Sequence, residues 1–580
     1  PVFTRFSTVA GGAGSVDTPR DVRGFAVKFY TPEGNWDLVG NNIPVFFIQD
    51  AMKFPDLVHA VKMEPDRGFP QAASAHDTFW DFVSLMPETL HTVMWAMSDR
   101  TLPRSLRMME GFGVHSFRLL NAAGESTFVK FHWRPKLGIQ STVWDEAVKL
   151  QSADNDFHRR DLFESIEAGD FPEWELSVQL FTDEDAQDFP FDHLDPTKLI
   201  PEELVPLQPV GRMVLNRWPD NFFAETEQVA FCPANVPPGI DFSNDPLLQG
   251  RLFSYLDTQL SRLGGPTFAQ IPINAPKCPF HNHQRDGHMQ MQVPKGRVNY
   301  EPSSLQADSP RASQALGFRH FAQADDGVKG RVRAESFADH YSQARMFYRS
   351  QSPLEQAHLA SATVFELSKV GTPHVREAVV GHLQHVDPEL AQRVADGLGM
   401  QSLPPAPPAA EPVQDLPLSP ALRIIDRMKP TLQGRCVGIL VADGSNGTSV
   451  ANLRKALEKA GATVKIVAPK VGGAVLKDGT LLPADGQLAG TPSVVFDAVA
   501  SVLSPDMGAV LAKEAAAVDW FRDAFGHLKA IAACKGTQAI LQAGGIEPDA
   551  GVVDPADVQG FIAAAQTRQW DREPKLRTLA

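Results

Sequence analysis

A proline-dense stretch, Leu403-Pro-Pro-Ala-Pro-Pro-Ala-Ala-Glu-Pro412, cuts this chain into two parts with different periodicities. Proline fixes φ and donates no amide hydrogen, so no helix or sheet interior runs through it; an extended, semi-rigid linker is expected. Before it, β-rich runs at 24–30, 44–48, 116–120 and 126–132 alternate with Gly, Pro and Asp turns, a spacing that suits an antiparallel barrel or sandwich. Helical patches at 77–85, 143–150 and 156–167 interrupt those runs. Residues 201–302 are rich in Pro, Asn and Gly, and a connector that long must be packed or functional in a compact domain. Helical periodicity returns at 337–350, 353–370, 373–385 and 388–397, with Pro near several helix starts. Beyond the linker, strand-like runs at 436–443, 462–468, 494–496 and 528–533 alternate with helical ones at 450–460 and 505–524. That order predicts a parallel, doubly wound sheet.

The expected architecture is therefore an α+β body followed by an α/β domain. Its divisions are an antiparallel core over 1–200, a wrapping segment over 201–310, a helical domain over 311–400, the linker over 401–430 and the α/β domain over 431–580. A chain of 580 residues is too long for one core, and 43% hydrophobic with 21% charged residues is ordinary for a soluble protein. The net charge of −15, with no basic stripe, argues against a nucleic-acid partner. No run of 18 apolar residues is present, so no membrane partner is expected. Four widely spaced cysteines, at 232, 278, 436 and 534, make no disulfide framework, and a reducing cytoplasm is the simplest compartment.

One nonapeptide carries chemistry: Arg251-Leu-Phe-Ser-Tyr255-Leu-Asp257-Thr-Gln259. On a helix, Arg251 and Tyr255 share a face, so the guanidinium could hold the phenol oxygen as a phenolate, a good ligand for haem iron. Arg262 falls within roughly 20° of that face, two turns on, where a haem propionate could be met. By spacing alone, an amphipathic helix with a buried Tyr and two surface Arg fits equally well.

The nonapeptide resembles the proximal haem-ligand signature of haem catalases. So does the surrounding text: Arg5-Phe-Ser-Thr-Val, Asp21-Val-Arg-Gly-Phe-Ala-Val-Lys-Phe-Tyr30, Asp37-Leu-Val-Gly-Asn41-Asn-Ile-Pro-Val-Phe-Phe47 and Leu215-Asn-Arg-Trp-Pro-Asp-Asn-Phe-Phe-Ala-Glu225. The extra C-terminal domain resembles that of large-subunit catalases. The resemblance implies an eight-stranded antiparallel β-barrel core, a wrapping segment, a helical domain and a flavodoxin-like domain of the class I glutamine-amidotransferase-like kind. It also implies a cytoplasmic homotetramer that converts hydrogen peroxide to water and oxygen and protects against oxidative stress. The haem would be b, or d after hydroxylation, and no NADPH is expected.

Carried over by motif, Tyr255 would bind the iron and Asn41 would orient peroxide, whereas Gly-Asn-Asn taken alone reads as a turn. Ser7 would support the distal histidine, Phe46 and Phe54 would wall the pocket, and Asp21 would line the channel. Arg5 and Arg262 would bind propionates. Asp245 and His115 would extend a hydrogen-bond chain through Arg251 to Tyr255. Cys232 stands where some relatives bond a side chain to the axial tyrosine, so a Cys232–Tyr255 thioether competes with a buried inert thiol. The family's distal His belongs to a motif upstream of Arg5, so the expectation is an N-terminally truncated chain with low activity.

Two cysteine motifs remain. Cys278-Pro-Phe-His281-Asn-His283, with His288, matches zinc spacing poorly, and a packed loop is expected. Cys534 sits at a strand-to-helix turn like the nucleophile elbow of amidotransferase-like folds. Lys535 stands where a partner His often follows, so a structural domain is favoured over thiol chemistry. Two rivals stand beside the catalase reading: another haem enzyme on the same barrel, such as a peroxidase or allene-oxide-synthase-like relative, and a non-enzymatic haem-binding or chaperone-like protein.

Overall fold

Strict two-residue alternation makes Arg23–Thr31 a strand with two unlike faces: Phe25 and Val27 are fully buried on one, Gly24 and Ala26 half-exposed on the other. The computed structural model describes residues 1–580 except 13, 71–75, 280–282, 308, 314, 325–326, 329, 331, 411–413 and 578–580. Nine strands form one antiparallel sheet: β1 (Val2–Thr8), β2 (Arg23–Thr31), β3 (Gly34–Asn41), β4 (Gly111–Phe112), β5 (Phe117–Leu120), β6 (Ser126–Pro135), β7 (Glu173–Phe181), β8 (Gln208–Val214) and β9 (Ile240–Phe242). The order is β1-β2-β3-β4-β6-β5-β9, with β7 on the free side of β6 and β8 on β7. The count is nine rather than the expected eight. Among the described residues, β1 and β8 share no backbone pairing; they meet through side chains, Thr4 Oγ1 donating to Met213 Sδ at 3.3 Å.

Aromatic packing fills the inner face. Phe25 meets Phe6 edge-on at 4.8 Å, Trp174 edge-on at 5.6 Å and Trp133 in a stack at 6.0 Å. Removing a fully buried ring such as Trp174 costs about 3–5 kcal/mol. The expected strand at 44–48 is irregular; Pro44 lacks a ladder donor, and Ile43, Val45 and Ile48 are buried in side-chain clusters instead.

A second core joins the helices Asp77–Leu85 and Leu90–Met97 to Ser342–Ser350, Pro353–Ser368, Pro373–Val386 and Pro388–Gly397. Prolines open the last three, and Ser352 and Asp387 cap Pro353–Ser368 and Pro388–Gly397 by accepting first-turn amides. The Pro-rich linker is docked, not free. Pro404 and Pro407 carbonyls bond Gln384 and His385, and Ile424 N donates to Glu355.

In the C-terminal domain six parallel strands lie in the order Gly486–Gln487, Thr463–Ala468, Cys436–Val441, Ala498–Val502, Ile531–Ala532, Val552–Val553. The sheet is doubly wound, as the strand–helix alternation predicts. The expected strand at 494–496 is a 3₁₀ turn, and the expected helix at 505–524 is two, Pro505–Leu511 and Ala515–Gly526. Buried ion pairs join this domain to the rest. Arg104 grips Asp497 at 2.7 and 2.8 Å, Glu146 takes Lys529 at 2.9 Å and Arg568 at 2.7 Å, and His358 bridges Asp99 and Glu573.

Candidate functional site

The register of β1, β2 and β3 builds the site's floor. Ser7 lies opposite Gly24, which lies opposite Asn41; Arg5, Ala26 and Val39 form the next row, and Lys28 with Asp37 belongs to the one beyond. Residues opposite one another on antiparallel strands share a face, so Ser7, Asn41 and Arg5 border a strip whose middle holds only Gly24 and Ala26. A Cβ on Gly24 would come within 2.6 Å of Ser7 Oγ. Glycine there keeps the strip flat.

The helix Pro246–Leu263 crosses this region. Asp245 caps it, its Oδ1 accepting from Leu247 N and Leu248 N, Pro246 supplies the first turn, and Gly264 ends it in left-handed backbone with φ of 83°. Helical spacing does what the sequence predicts: Arg251 Nη2 donates to Tyr255 Oη at 2.7 Å. The same nitrogen donates to the Val39 carbonyl at 3.0 Å, tying the helix to β3. Arg262 and Arg5 converge on Glu227. Arg262 donates to the Glu227 and Val229 carbonyls at 2.5 and 2.7 Å, and Arg5 lies 3.9 Å from the Glu227 carboxylate. Partial burial and the nearby Arg5 charge push the Arg262 pKa down, so this corner favours an added anion.

Asn41 and Asn42 part company. Asn42 is spent on structure, accepting from Arg23 N at 2.8 Å and donating to the Arg100 carbonyl at 3.1 Å. Among the described residues the Asn41 amide has no partner, and it stands on the face that carries Ser7. Phe46 and Phe54 stack with centroids 6.5 Å apart, and Phe54 is 47% exposed.

Other expected residues have the following surroundings. His115 Nδ1 meets Asp245 Oδ2 at 2.5 Å, and burial pulls the His115 pKa down against that carboxylate. Arg251, however, bonds only Val39 and Tyr255. Among the described residues the hydrogen bonds thus form two segments, His115–Asp245 and Arg251–Tyr255, with the Arg251 charge near enough to His115 to help lower its pKa. Asp21, expected along a channel, accepts from Val9 N and Ala10 N and pins the loop after β1. Cys232 is buried, which pushes its thiol pKa up, and its sulfur lies 3.8 Å from the Leu252 carbonyl, three residues before Tyr255. Cys534 contacts Leu503 and Thr537, with no histidine against its sulfur among the described residues. His281 of the expected loop lies outside the described residues, and among those described no three His, Cys, Asp or Glu are grouped to hold a metal ion. No described helix is long and apolar enough to cross a membrane.

Sequence reading missed the floor residues Gly24 and Ala26, and it missed Lys28 and Asp37 beside them. Its one available signal was a lone lysine in an otherwise apolar strand.

The core thus brings an arginine-held phenol oxygen to a helix tied to β3, sets two more arginines beside Glu227, and joins a doubly wound domain. Comparison with known proteins is specific. The catalase family matches residues 1–307, the catalase-related immune-responsive family 334–398, and the C-terminal domain found in long catalases 433–574. Catalase C of Rhizobium meliloti (strain 1021) is 57% identical over all of this chain and 83% of its own length. Catalase HPII of Pseudomonas putida is 53% identical over 99% of the chain and 81% of its own, and Catalase-2 of Bacillus subtilis (strain 168) is 51% identical over 99% and 84%. This chain belongs to the catalase family, in its long form.

Proposed function

We propose that the chain decomposes hydrogen peroxide to water and oxygen with a haem ligated by Tyr255, as a cytoplasmic homotetramer that limits oxidative damage. The carrying observation is the 2.7 Å hydrogen bond from Arg251 to the Tyr255 oxygen, on a helix that the same guanidinium ties to the Val39 carbonyl of β3. A guanidinium in that position favours negative charge on the oxygen it bonds. The residues present fit a haem: a flat floor, a phenol ligand, and the Arg5 and Arg262 pair for its propionates. Haem iron, when bound, supplies the two-electron exchange by which one hydrogen peroxide is reduced to water and a second is oxidised to oxygen.

The chain's own residues do the rest. Asn41 donates its free amide to a peroxide oxygen, while Ser7 borders the same face. Phe46 and Phe54 exclude water, and Asp21 shapes the approach. His115 and Asp245 steady the start of the ligand helix. None of the 17 histidines is assigned the proton-shuttling role. The finer reading adds closure of the antiparallel core into a barrel, a flavodoxin-like C-terminal domain, haem b or d, no NADPH, and a Cys232–Tyr255 thioether. Two separate peptides carrying Cys232 and Tyr255 after digestion would end the thioether idea.

Tyr255→Phe tests the whole reading. Loss of the Soret band, or of its phenolate-ligand signature, together with loss of oxygen release is expected; an unchanged spectrum would overturn it. Assaying oxidation of a phenolic donor beside oxygen release separates this reading from a peroxidase.

A further inference from the structure

The helix that carries Tyr255 is bonded by the segment 227–235, which runs along it like a strap. Arg262 donates to its Glu227 and Val229 carbonyls, Gln259 Nε2 to its Phe231 carbonyl at 3.4 Å, and the Cys232 thiol reaches the Leu252 carbonyl. Three helix positions, Leu252 before Tyr255 and Gln259 and Arg262 after it, therefore depend on where this strap lies.

Asn274 holds the strap at Gln228 and Ala230, Arg5 of the sheet lies 3.9 Å from the Glu227 carboxylate, and the bonds from the sheet to the far end of the strap gather on Asp37. Asp37 Oδ2 accepts from Cys232 N at 3.0 Å and from Asn235 Nδ2 at 2.8 Å, and Asp37 N donates to the Asn235 carbonyl at 2.9 Å. Lys28, the register partner of Asp37, holds both carboxylate oxygens at 2.7 and 2.9 Å, and its ammonium sits 5.3 Å from the centre of the Phe231 ring. The two side chains are 1% and 0% exposed. Burying an ion pair costs about as much dehydration as its attraction returns, so stability is a poor reason for one here. Its distinctive product is geometry: Asp37 grips three atoms of the strap, two through Oδ2 and one through its own amide, while Lys28 holds both oxygens in place.

We infer that Asp37, both of whose oxygens Lys28 holds, is a positioning residue for Tyr255: it fixes the strap, and the strap fixes the ligand helix against the sheet. The inference rests on Tyr255 being the haem ligand. It extends that reading to two side chains that touch neither the haem site's floor nor the phenol.

The test uses the full chain carrying Asn235→Ala, which removes one strap bond and leaves the ion pair intact, and the double variant Asp37→Asn with Lys28→Met. Amide exchange is followed in peptides from 228–236 and 250–260, with the strand Cys436–Val441 as internal control, and absorption spectra are taken after haem loading. Losing a hydrogen bond to a charged group should speed strap exchange by about tenfold, without changing the control strand. The phenolate-ligand band should shift or broaden with it. Unchanged strap exchange, an equal rise in the control strand, or a wild-type ligand band above a loosened strap would each overturn the inference. Should the double variant fail to fold, Asn235→Ala alone decides. Absence of haem uptake by the unsubstituted chain would defeat the ligand reading instead, and the exchange data would show that as a separate failure.

Discussion

Replacing His358 by Gln should loosen the C-terminal tail in a way that depends on pH. The imidazole lies between Asp99 Oδ2 at 2.7 Å and Glu573 Oε2 at 2.8 Å, and both carboxylates are almost fully buried. Burial pulls its pKa down, but the two carboxylates prevail and raise it to about 10. A rise of that size from 6.5 corresponds to roughly 5 kcal/mol. Removing one partner of a buried pair costs about 3–5 kcal/mol, so a loss of that order is expected at neutral pH. Because the folded pKa lies above the unfolded one, the stabilisation is complete below pH 6.5, falls between 6.5 and 10, and is gone above that. Amide exchange of a peptide spanning 570–577, in variant and native chain at the same pH, reads this directly, since intrinsic rates cancel. The variant should exchange about a hundredfold faster at pH 6.5, and the ratio should fall toward one at pH 10. A ratio that stays constant across that range would refute the charged bridge.

The two asparagines should separate function from structure. Asn41→Ala should lower kcat about 10²- to 10³-fold while the Soret spectrum and melting curve stay native. Asn42→Ala should do the reverse, costing about 1–3 kcal/mol of stability through the orphaned Arg23 amide and Arg100 carbonyl, read by thermal melting. Arg104→Met should leave Asp497 buried without its partner and destabilise the junction by about 3–5 kcal/mol, seen as earlier proteolysis of the C-terminal domain with the haem spectrum retained.

Local signals carried much of this architecture. Helices at 77–85 and 388–397 have the bounds that periodicity predicts; an acidic residue, Asp77, opens the first turn of one, and Asp387 caps the other ahead of Pro388. The Arg251–Tyr255 contact follows from helical spacing alone. What escaped depends on long-range register. Gly24 and Ala26 become a floor only once β1 and β3 flank β2, and Asp37 finds Cys232 195 residues away. The run 44–48 misleads for the opposite reason: its apolar residues satisfy packing, so burial and strand formation cannot be told apart there. Asp245 likewise caps its helix with one oxygen and meets His115, 130 residues away, with the other, a pairing invisible until the helix start is fixed.

Strand β3 presents Asp37, Val39 and Asn41 to the same neighbourhood, one for the strap, one for Arg251 and one for the open amide. Alternate residues in a strand are spaced by roughly 6.5–7 Å with little give. The two sides of the proposed haem site are thus marked off on a single rigid scale, and point substitutions can change what stands at each mark but not the interval between marks. Inserting one residue between Asp37 and Asn41 would turn the amide toward Phe25 while leaving the strap where it is. Redesign of this pocket for a bulkier oxidant should therefore move β3 as a unit, or leave it alone.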